Sequence, residues 1–161
     1  MMKNENGVTL VEVMSCLVIL SFLSGIATPF FKDMMARQAL NGATSMLVGE
    51  LHKARSFAMT SNSPVAFSYT EGGYKTFIDD GQGGGTEGDW IQQTGEKVLA
   101  NVSLLTDRLK ISVDESTFTA QRTCFSGRPG IKAGAIVLQG NDGRKNKVIV
   151  NFIGRVRVEK L

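Results

Sequence analysis

The chain has 161 residues, about the size of one domain, with a net charge of +3 and 20% charged residues. This composition is neither repetitive nor strongly charged, so it argues against a disordered chain and allows a packed core. The charge excess lies wholly after Gln139, which fits either a solvated strand edge or a polyanion-binding surface. The charged residues of this end are Arg144, Lys145, Lys147, Arg155, Arg157 and Lys160, with Asp142 and Glu159 as the acids.

A mostly polar stretch of seven residues precedes a long apolar segment. Residues 13–31 carry no charged side chain and consist largely of Val, Leu, Ile and Phe. A helix of nineteen residues spans roughly the 30 Å hydrocarbon core of a bilayer, so this segment predicts a transmembrane helix. A secretory signal peptide is the alternative, with Gly25 and Ala27 as small residues at a cleavage site.

Glu12 lies near the start of the apolar segment. A carboxylate inside a bilayer costs on the order of 3 kcal/mol, and such residues usually have a functional partner. A glutamate at the membrane interface would cost little and need none. The residues alone leave both interpretations open.

The segment 7–12 (GVTLVE) resembles the prepilin peptidase site of type IV pilins and type II secretion pseudopilins. The resemblance implies cleavage after Gly7 and N-methylation of Val8, the new first residue. It also implies that Glu12, the fifth mature residue, contacts the amine of a neighbouring subunit. Pro29 falls where this family commonly has a helix-bending proline, whereas Val8 departs from the usual Phe or Met.

Beyond Pro29 the segment becomes amphipathic. Apolar residues recur at three- and four-residue spacing from Leu40 to Ala58, with polar residues on the other faces. We predict one helix over residues 8–60, bent near Pro29 and ended by residues 61–64 (SNSP). His52 lies in this pattern with no second metal ligand nearby, so it is predicted to be a surface residue.

A period of two begins after Pro64 and predicts a β-hairpin over residues 65–69 and 74–78. Five later strands are predicted over residues 109–113, 123–126, 135–138, 148–153 and 156–158. The predicted fold class is therefore α+β: a long N-terminal helix with a transmembrane first half, packed on a C-terminal antiparallel β-sheet or sandwich domain.

Residues 79–89 form a Gly-rich loop between predicted strands. Its carboxylates, Asp79, Asp80, Glu87 and Asp89, are a weak candidate for a calcium site, because the EF-hand spacing of ligands is absent. No Lys-Ser/Thr pair closes the loop, so nucleotide binding is not indicated. A flexible surface loop is the simpler interpretation.

Three further segments resemble the GspH/FimT group of minor pilins and pseudopilins: residues 54–56 (ARS), 77–79 (FID) and 154–157 (GRVR). The resemblance covers nearly the whole chain and implies a helix packed on a β-sandwich-like domain, in low copy near a filament tip. The implied partners are other pilins or pseudopilins, a prepilin peptidase, an inner-membrane assembly platform and membrane lipid.

The predicted organisation has three parts. Residues 1–7 are a cleaved leader, residues 8–31 a transmembrane assembly helix, and residues 32–161 a globular domain. The resemblance implies a single-pass protein of the bacterial inner membrane, with its globular domain in the periplasm before it enters the filament.

No enzyme activity and no cofactor are predicted, because the sequence shows no nucleophile elbow, Cys–His arrangement or paired acid and base. The first functional hypothesis is a minor subunit of a type II secretion pseudopilus or a type IV pilus that helps to initiate or cap the filament. The alternative is a FimT-like minor pilin that binds DNA at a pilus tip for DNA uptake. The candidate DNA-binding residues are Arg144, Lys145, Lys147, Arg155 and Arg157. A signal-anchored periplasmic protein is the third hypothesis.

Overall fold

The computed structural model describes residues 7–104, 108–126 and 131–161. The chain divides into two compact units, Met1–Met35 and Ala36–Leu161. Helix α1 (Leu10–Ser61) contributes to both units and confirms the predicted long N-terminal helix. The predicted leader, apart from Gly7, lies outside the described residues.

In the first unit, α1 carries an apolar surface that is exposed among the described residues. The side chains of residues 10–32 are exposed. The helix continues through Pro29 without interruption. Because proline has no N–H, the carbonyl of Gly25 loses its helical donor there. The bend expected near Pro29 stays a prediction.

In the second unit, one stripe of α1 is buried. The stripe consists of Leu40, Ala43, Thr44, Leu47, Leu51, Ala54 and Ala58. Its three- and four-residue spacing places these side chains on one helical face, as the amphipathic pattern predicted. The helix ends at Ser61, and Asn62 follows in the left-handed conformation (φ 51°), which is common just after a helix.

The described residues after α1 form eight strands. They are β1 (Val65–Thr70), β2 (Gly73–Ile78), β3 (Val98–Ser103), β4 (Leu109–Ser112), β5 (Arg122–Phe125), β6 (Gly134–Gly140), β7 (Lys145–Val150) and β8 (Val156–Lys160). Sheet A has the order β3-β2-β1-β5 and sheet B the order β4-β6-β7-β8, with every pairing antiparallel. A short 3₁₀ helix, Thr119–Gln121, leads into β5.

The core of the second unit lies between the buried stripe of α1 and both sheets. Phe67 and Tyr74 stack at 5.5 Å between ring centroids in sheet A, and Ile136, Leu138 and Val148 are fully buried in sheet B. All belong to one apolar cluster with Leu47 and Leu51 of the helix. This arrangement confirms the α+β class.

The strand predictions missed one strand and differ from the structure at several strand ends. Strand β3 was not predicted, and the predicted strand 148–153 was wrong at both ends, since β7 covers Lys145–Val150. Asn146 can lie on the buried face because its Nδ2 donates to Thr44 Oγ1 at 2.9 Å. Phe152 and Ile153, which resemble strand residues by type, lie in the turn that follows.

Candidate assembly site and C-terminal basic surface

The start of α1 is capped by Thr9. The N–H of Glu12 donates to Thr9 Oγ1 at 3.3 Å and to the Thr9 carbonyl oxygen at 3.1 Å. These bonds satisfy a donor that the first helical turn would leave open. Gly7 and Val8 are exposed and precede the helix, so the peptide bond between them lies in irregular chain.

The hydroxyl groups of the apolar segment form hydrogen bonds within the helix, whereas the carboxylate of Glu12 at its start does not. Ser15, Ser21, Ser24 and Thr28 each donate to the carbonyl oxygen four residues earlier, at 2.6 to 2.8 Å. Such internal bonds allow these residues to lie in an apolar surrounding. Among the described residues, the Glu12 side chain has neither an ion pair nor a hydrogen bond. It is therefore available to a partner outside the chain.

Helix α1 is long and apolar enough to cross a membrane, judged by its length and composition. None of the side chains in its most apolar stretch is buried by the residues that the structure describes. A signal sequence near an N-terminus has the same properties, so this feature by itself fits both interpretations of the segment.

The pairing of β7 with β8 brings part of the predicted basic surface together. In this register Lys147 lies opposite Glu159, and Arg157 lies opposite Ile149. Lys147 and Arg157 are therefore diagonal neighbours on one face of sheet B. Arg155 precedes β8 and is exposed. Within the described part of the chain, these three basic side chains form no ion pair.

The other two predicted basic residues are paired with acids. Arg144 Nη1 lies 2.9 Å from Asp142 Oδ2, and Lys145 Nζ is ion-paired with Glu115 Oε1. A paired charge attracts a phosphate less than an unpaired one does. The surface formed by basic side chains without ion pairs is thus smaller than the sequence predicted.

Gly154, the first residue of the GRVR segment, has a structural role. It is buried and has a φ of +76°, a conformation that favours glycine. Its carbonyl oxygen accepts a hydrogen bond from Arg55 Nη1 at 3.0 Å, and an added Cβ would lie 3.0 Å from Arg55 Nε. The glycine therefore holds the β7–β8 turn against the helix, while the arginines that follow it face solvent.

Asp79, at the start of the Gly-rich loop, organises the loop backbone. It is fully buried. Its Oδ1 accepts from the Gly88 N–H at 3.0 Å and its Oδ2 from the Trp90 N–H at 2.9 Å. Lys132 Nζ lies 4.3 Å from the centroid of the Trp90 ring, a cation–π contact between the loop and the segment before β6.

The remaining carboxylates of the loop do not converge with Asp79. Asp80 Oδ1 accepts from a backbone N–H within the loop, Asp89 accepts from the Ile91 N–H and from Gln93 Nε2, and Glu87 is exposed. Among the described residues, no group of three or more His, Cys, Asp or Glu side chains is placed to hold a metal ion. The calcium alternative therefore has no support in this arrangement.

Two groups of the second unit, Cys124 and Tyr74, have raised pKa values, which favour their neutral forms. Burial, followed by the negative charge of Asp79, raises the pKa of Cys124 to about 12. Burial, followed by the charge of Glu50, raises the pKa of Tyr74 to about 12. A nucleophilic cysteine requires the opposite shift, so the Cys124 environment does not suit nucleophilic catalysis.

Two surface features were not predicted from the sequence. The first is the apolar turn, in which Phe152 and Ile153 are exposed between β7 and β8. The second is the helix–β3 groove, a cavity of about 480 Å³ between α1 and strands β2 and β3. The spacing of Asn151 and Gly154 is typical of a turn and could have indicated the apolar turn. The groove had no local sequence signal, because it depends on the position of β3.

Comparison with solved structures shows a shared fold. The minor pseudopilin EpsH from the type 2 secretion system of Vibrio cholerae superposes with a TM-score of 0.54 at 8% identity, over 75% of this chain and 96% of that chain. The type IV minor pilin FimU of Pseudomonas aeruginosa superposes with a TM-score of 0.55 at 15% identity, over 76% and 90% of the two chains. A second crystal form of FimU gives 0.52 at 16% identity, over 74% and 92%. No curated protein matches the sequence.

Two family models match the sequence. The prokaryotic N-terminal methylation motif covers residues 2–28, which include the predicted cleavage segment 7–12 and Glu12 within it. The model of the type II transport protein GspH covers residues 43–154, more than half of the chain, from the buried stripe of α1 to the glycine of the β7–β8 turn. The chain therefore belongs to the GspH family of minor pseudopilins and pilins.

Proposed function

We propose that this protein is a minor structural subunit of a type II secretion pseudopilus or a type IV pilus, and that it helps to initiate or cap the filament. A prepilin peptidase would cut the chain after Gly7 and leave a methylated Val8. Residues 8–31 would hold the subunit in the bacterial inner membrane as a single-pass helix, with residues 32–161 in the periplasm. An assembly platform would then transfer it to the filament, among other pilins and membrane lipid.

The observation that carries this proposal is the unpaired carboxylate of Glu12 in the first turn of an otherwise apolar helix. Cleavage before Val8 would create a cationic amine at the same end of the helix. An amine and a carboxylate attract strongly in an apolar surrounding, but each loses its hydration there. Pairing between Glu12 and the amine of a neighbouring subunit compensates both losses and fixes the axial stagger of the two helices.

The test is mass spectrometry of the chain from cells with an active prepilin peptidase, combined with a Glu12→Gln variant. We expect a methylated Val8 at the N-terminus of both proteins. We expect Glu12→Gln to insert in the membrane normally, because a neutral side chain is easier to insert, but to enter filaments less than Glu12→Asp. An N-terminus at Thr28 would instead establish a signal peptide. Equal incorporation of the three proteins would exclude the role of Glu12 in subunit register.

DNA binding at the filament tip is the second candidate function. It is favoured by three basic side chains, Lys147, Arg155 and Arg157, which lie near one another without ion pairs in the described part of the chain. Such a surface would contact phosphates and would not read bases. Its affinity would fall with a log–log salt slope of about −0.9 for each phosphate neutralised on duplex DNA.

The DNA-binding test is an anisotropy titration of the full-length chain in detergent against random DNA at two salt concentrations. The test variant is Arg155→Gln with Arg157→Gln, and the matched control is Arg144→Gln, whose guanidinium is already paired with Asp142. We expect the double variant to lose most of the affinity and the control to keep it. Equal binding by all three proteins would exclude this surface.

A further inference from the structure

Sheet B ends in strand β8, whose outer side has no neighbouring strand among the described residues. At one end of the strand, the Asn151 N–H donates to the Arg155 carbonyl oxygen, and at the other the Leu161 N–H donates to the Lys145 carbonyl oxygen. Hydrogen-bonded pairs alternate along an antiparallel ladder, so every second residue, starting from Arg155, turns its backbone polar groups toward β7. The N–H and carbonyl groups that point outward belong to Val156, Val158 and Lys160.

Strand β8 lacks two devices that usually protect an edge strand from pairing, short length and an irregular register. The described sheets have three other edge strands, β3, β4 and β5. Strands β4 and β5 have four residues each, and the register of β3 shifts between Thr76 and Phe77 of its partner β2. Strand β8 pairs with β7 over five residues without a shift. Within the described part of the chain, it is therefore the longest regular edge, and its protection is side-chain charge.

The charge on β8 and around it is positive. Glu159 is the one acid in the strand. The basic side chains, which form no ion pair within the described residues, are Lys147, Arg155, Arg157 and Lys160. Positive side chains at a sheet edge repel a basic strand but attract an acidic one. The edge is thus protected against pairing in general and open to one class of strand.

An antiparallel strand added to this edge would have two kinds of position. Its residue opposite Arg157 would form a non-hydrogen-bonded pair, in which Cα atoms lie about 4.5 Å apart and the side chains approach most closely. A carboxylate there would pair with Arg157 across the two strands. The neighbouring residues would point to the other face of the sheet, beside Val158, which lies opposite the buried Val148 yet is 41% exposed. An apolar side chain at these positions would cover Val158.

We propose that the outer edge of β8 binds an extended acidic segment of another protein, which adds to sheet B as a fifth strand. The segment would alternate acidic residues, placed beside Arg157, with apolar residues, placed beside Val158. Main-chain hydrogen bonds to the outward groups of β8 would supply affinity, and the alternating side chains would supply specificity. This surface is separate from Glu12, so its test can fail while the proposed function stands.

The test is an anisotropy titration of the full-length chain in detergent with a labelled peptide of seven alternating Glu and Val residues. Two peptides of the same length are the controls. Alternating Lys and Val reverses the charge, whereas alternating Glu and Pro keeps the charge but removes the backbone donors that would face β8. We expect the Glu–Val peptide to bind at least about tenfold more tightly than either control.

Val158→Pro tests the backbone contribution. The Val158 N–H points outward, so proline removes a donor to the peptide and breaks no bond to β7, a placement that edge strands tolerate. Val158→Ala keeps the N–H and is the matched control. We expect Val158→Pro to weaken peptide binding by about tenfold, as for a lost hydrogen bond, and Val158→Ala to weaken it less. Circular dichroism checks that both variants fold.

Arg157→Gln tests the charge contribution. It should weaken binding of the Glu–Val peptide by about three- to fivefold, as expected for one cross-strand pair of opposite charges. The matched control is Arg144→Gln, whose guanidinium is already paired with Asp142 and lies outside β8. This control should leave the affinity unchanged, and an equal loss in the two arginine variants would contradict pairing at β8.

Amide hydrogen exchange of the unsubstituted chain gives an independent measurement. The bound peptide should slow exchange at Val158 and Lys160, while Arg157 and Glu159, already bonded to β7, should not change. Binding without this alternating protection, or equal binding of the Glu–Pro peptide, would overturn the proposal, since charge alone would then explain it. Binding of random DNA without binding of the Glu–Val peptide would also overturn it, as would self-association of the chain that Val158→Pro abolishes.

Discussion

Replacement of Asp79 by Asn should loosen the Gly-rich loop before it unfolds the rest of the second unit. The substitution keeps one side-chain oxygen as an acceptor but replaces the other with an amide NH₂ group. This donor would face a backbone N–H, which is also a donor. It also removes the negative charge that strengthens both bonds, to Gly88 and to Trp90. The two hydrogen bonds that attach the loop to the buried side chain next to β2 are then weakened or lost.

The size of the effect follows from the geometry. A hydrogen bond to a charged group contributes about 1.5 to 3 kcal/mol, and a buried donor left without a partner costs a similar amount. Trp90 has a φ of +61°, a conformation that costs roughly 1 to 2 kcal/mol for a non-glycine residue. Release of this strain offsets part of the loss, so we expect a net decrease in the free energy of unfolding of about 2 kcal/mol.

The assay uses Trp90 itself, since it is the chain's single tryptophan. Urea titration of the full-length chain in detergent is followed by Trp90 fluorescence and by far-ultraviolet circular dichroism. We expect Asp79→Asn to shift the fluorescence transition to lower urea than the dichroism transition. The control is Asp80→Asn, which alters one exposed hydrogen bond at 3.2 Å and should change stability by less than about 0.5 kcal/mol. Equal shifts in the two variants would refute the assignment of Asp79 as the loop's anchor.

Two further changes test the second unit. Burial raises the pKa of Cys124 to about 12 from an ordinary value of 9.0, so the contribution of this thiol to stability is complete below pH 9 and is lost as the pH rises toward 12. Cys124→Ala should therefore make the urea midpoint fall less steeply over that pH range. A pH profile identical to that of the unsubstituted chain would contradict this prediction. Gly154→Ala should lower the free energy of unfolding by about 1 to 3 kcal/mol, because its φ is positive and the new Cβ would lie 2.7 Å from Ile131 Cδ1 and 3.0 Å from Arg55 Nε. Gly143→Ala has a similar φ with open space around it, so a loss at Gly143 as large as that at Gly154 would exclude the contacts with Ile131 and Arg55 as the cause.

The helix and the β-hairpin could be predicted because their signals are local. The apolar run and the spacing from Leu40 to Ala58 place α1 within two residues of its observed start and one of its end. The alternation after Pro64 gives β1 and β2 to within a residue at each end. In both cases neighbouring residues in the sequence determine the structure, so no distant contact is needed.

The division into two sheets could not be predicted in the same way. Strand β5 pairs with β1 from more than fifty residues away, and no sequence pattern specifies such a partner. Strand β3 lies at an edge of sheet A, and its mixed exposure removes the alternation that marks a strand. The basic surface was predicted by charge alone, and the acids that pair with Arg144 and Lys145 were found only from their placement.

The polar contacts between α1 and the sheets have a mechanical consequence. Two short side-chain hydrogen bonds join the helix to the β7–β8 part of sheet B: Asn146 Nδ2 donates to Thr44 Oγ1 at 2.9 Å, and Arg55 Nη1 donates to the Gly154 carbonyl oxygen at 3.0 Å. A longer bond of 3.4 Å runs from Asn146 Nδ2 to Asn41 Oδ1. The two short bonds lie about 16 Å apart along the helix axis. Apolar contacts are non-directional and resist sliding weakly, whereas a slip of one helical turn would break both hydrogen bonds. We therefore expect a force applied along the part of α1 that lies in the second unit to be carried mainly into sheet B, while sheet A bears much less of the load.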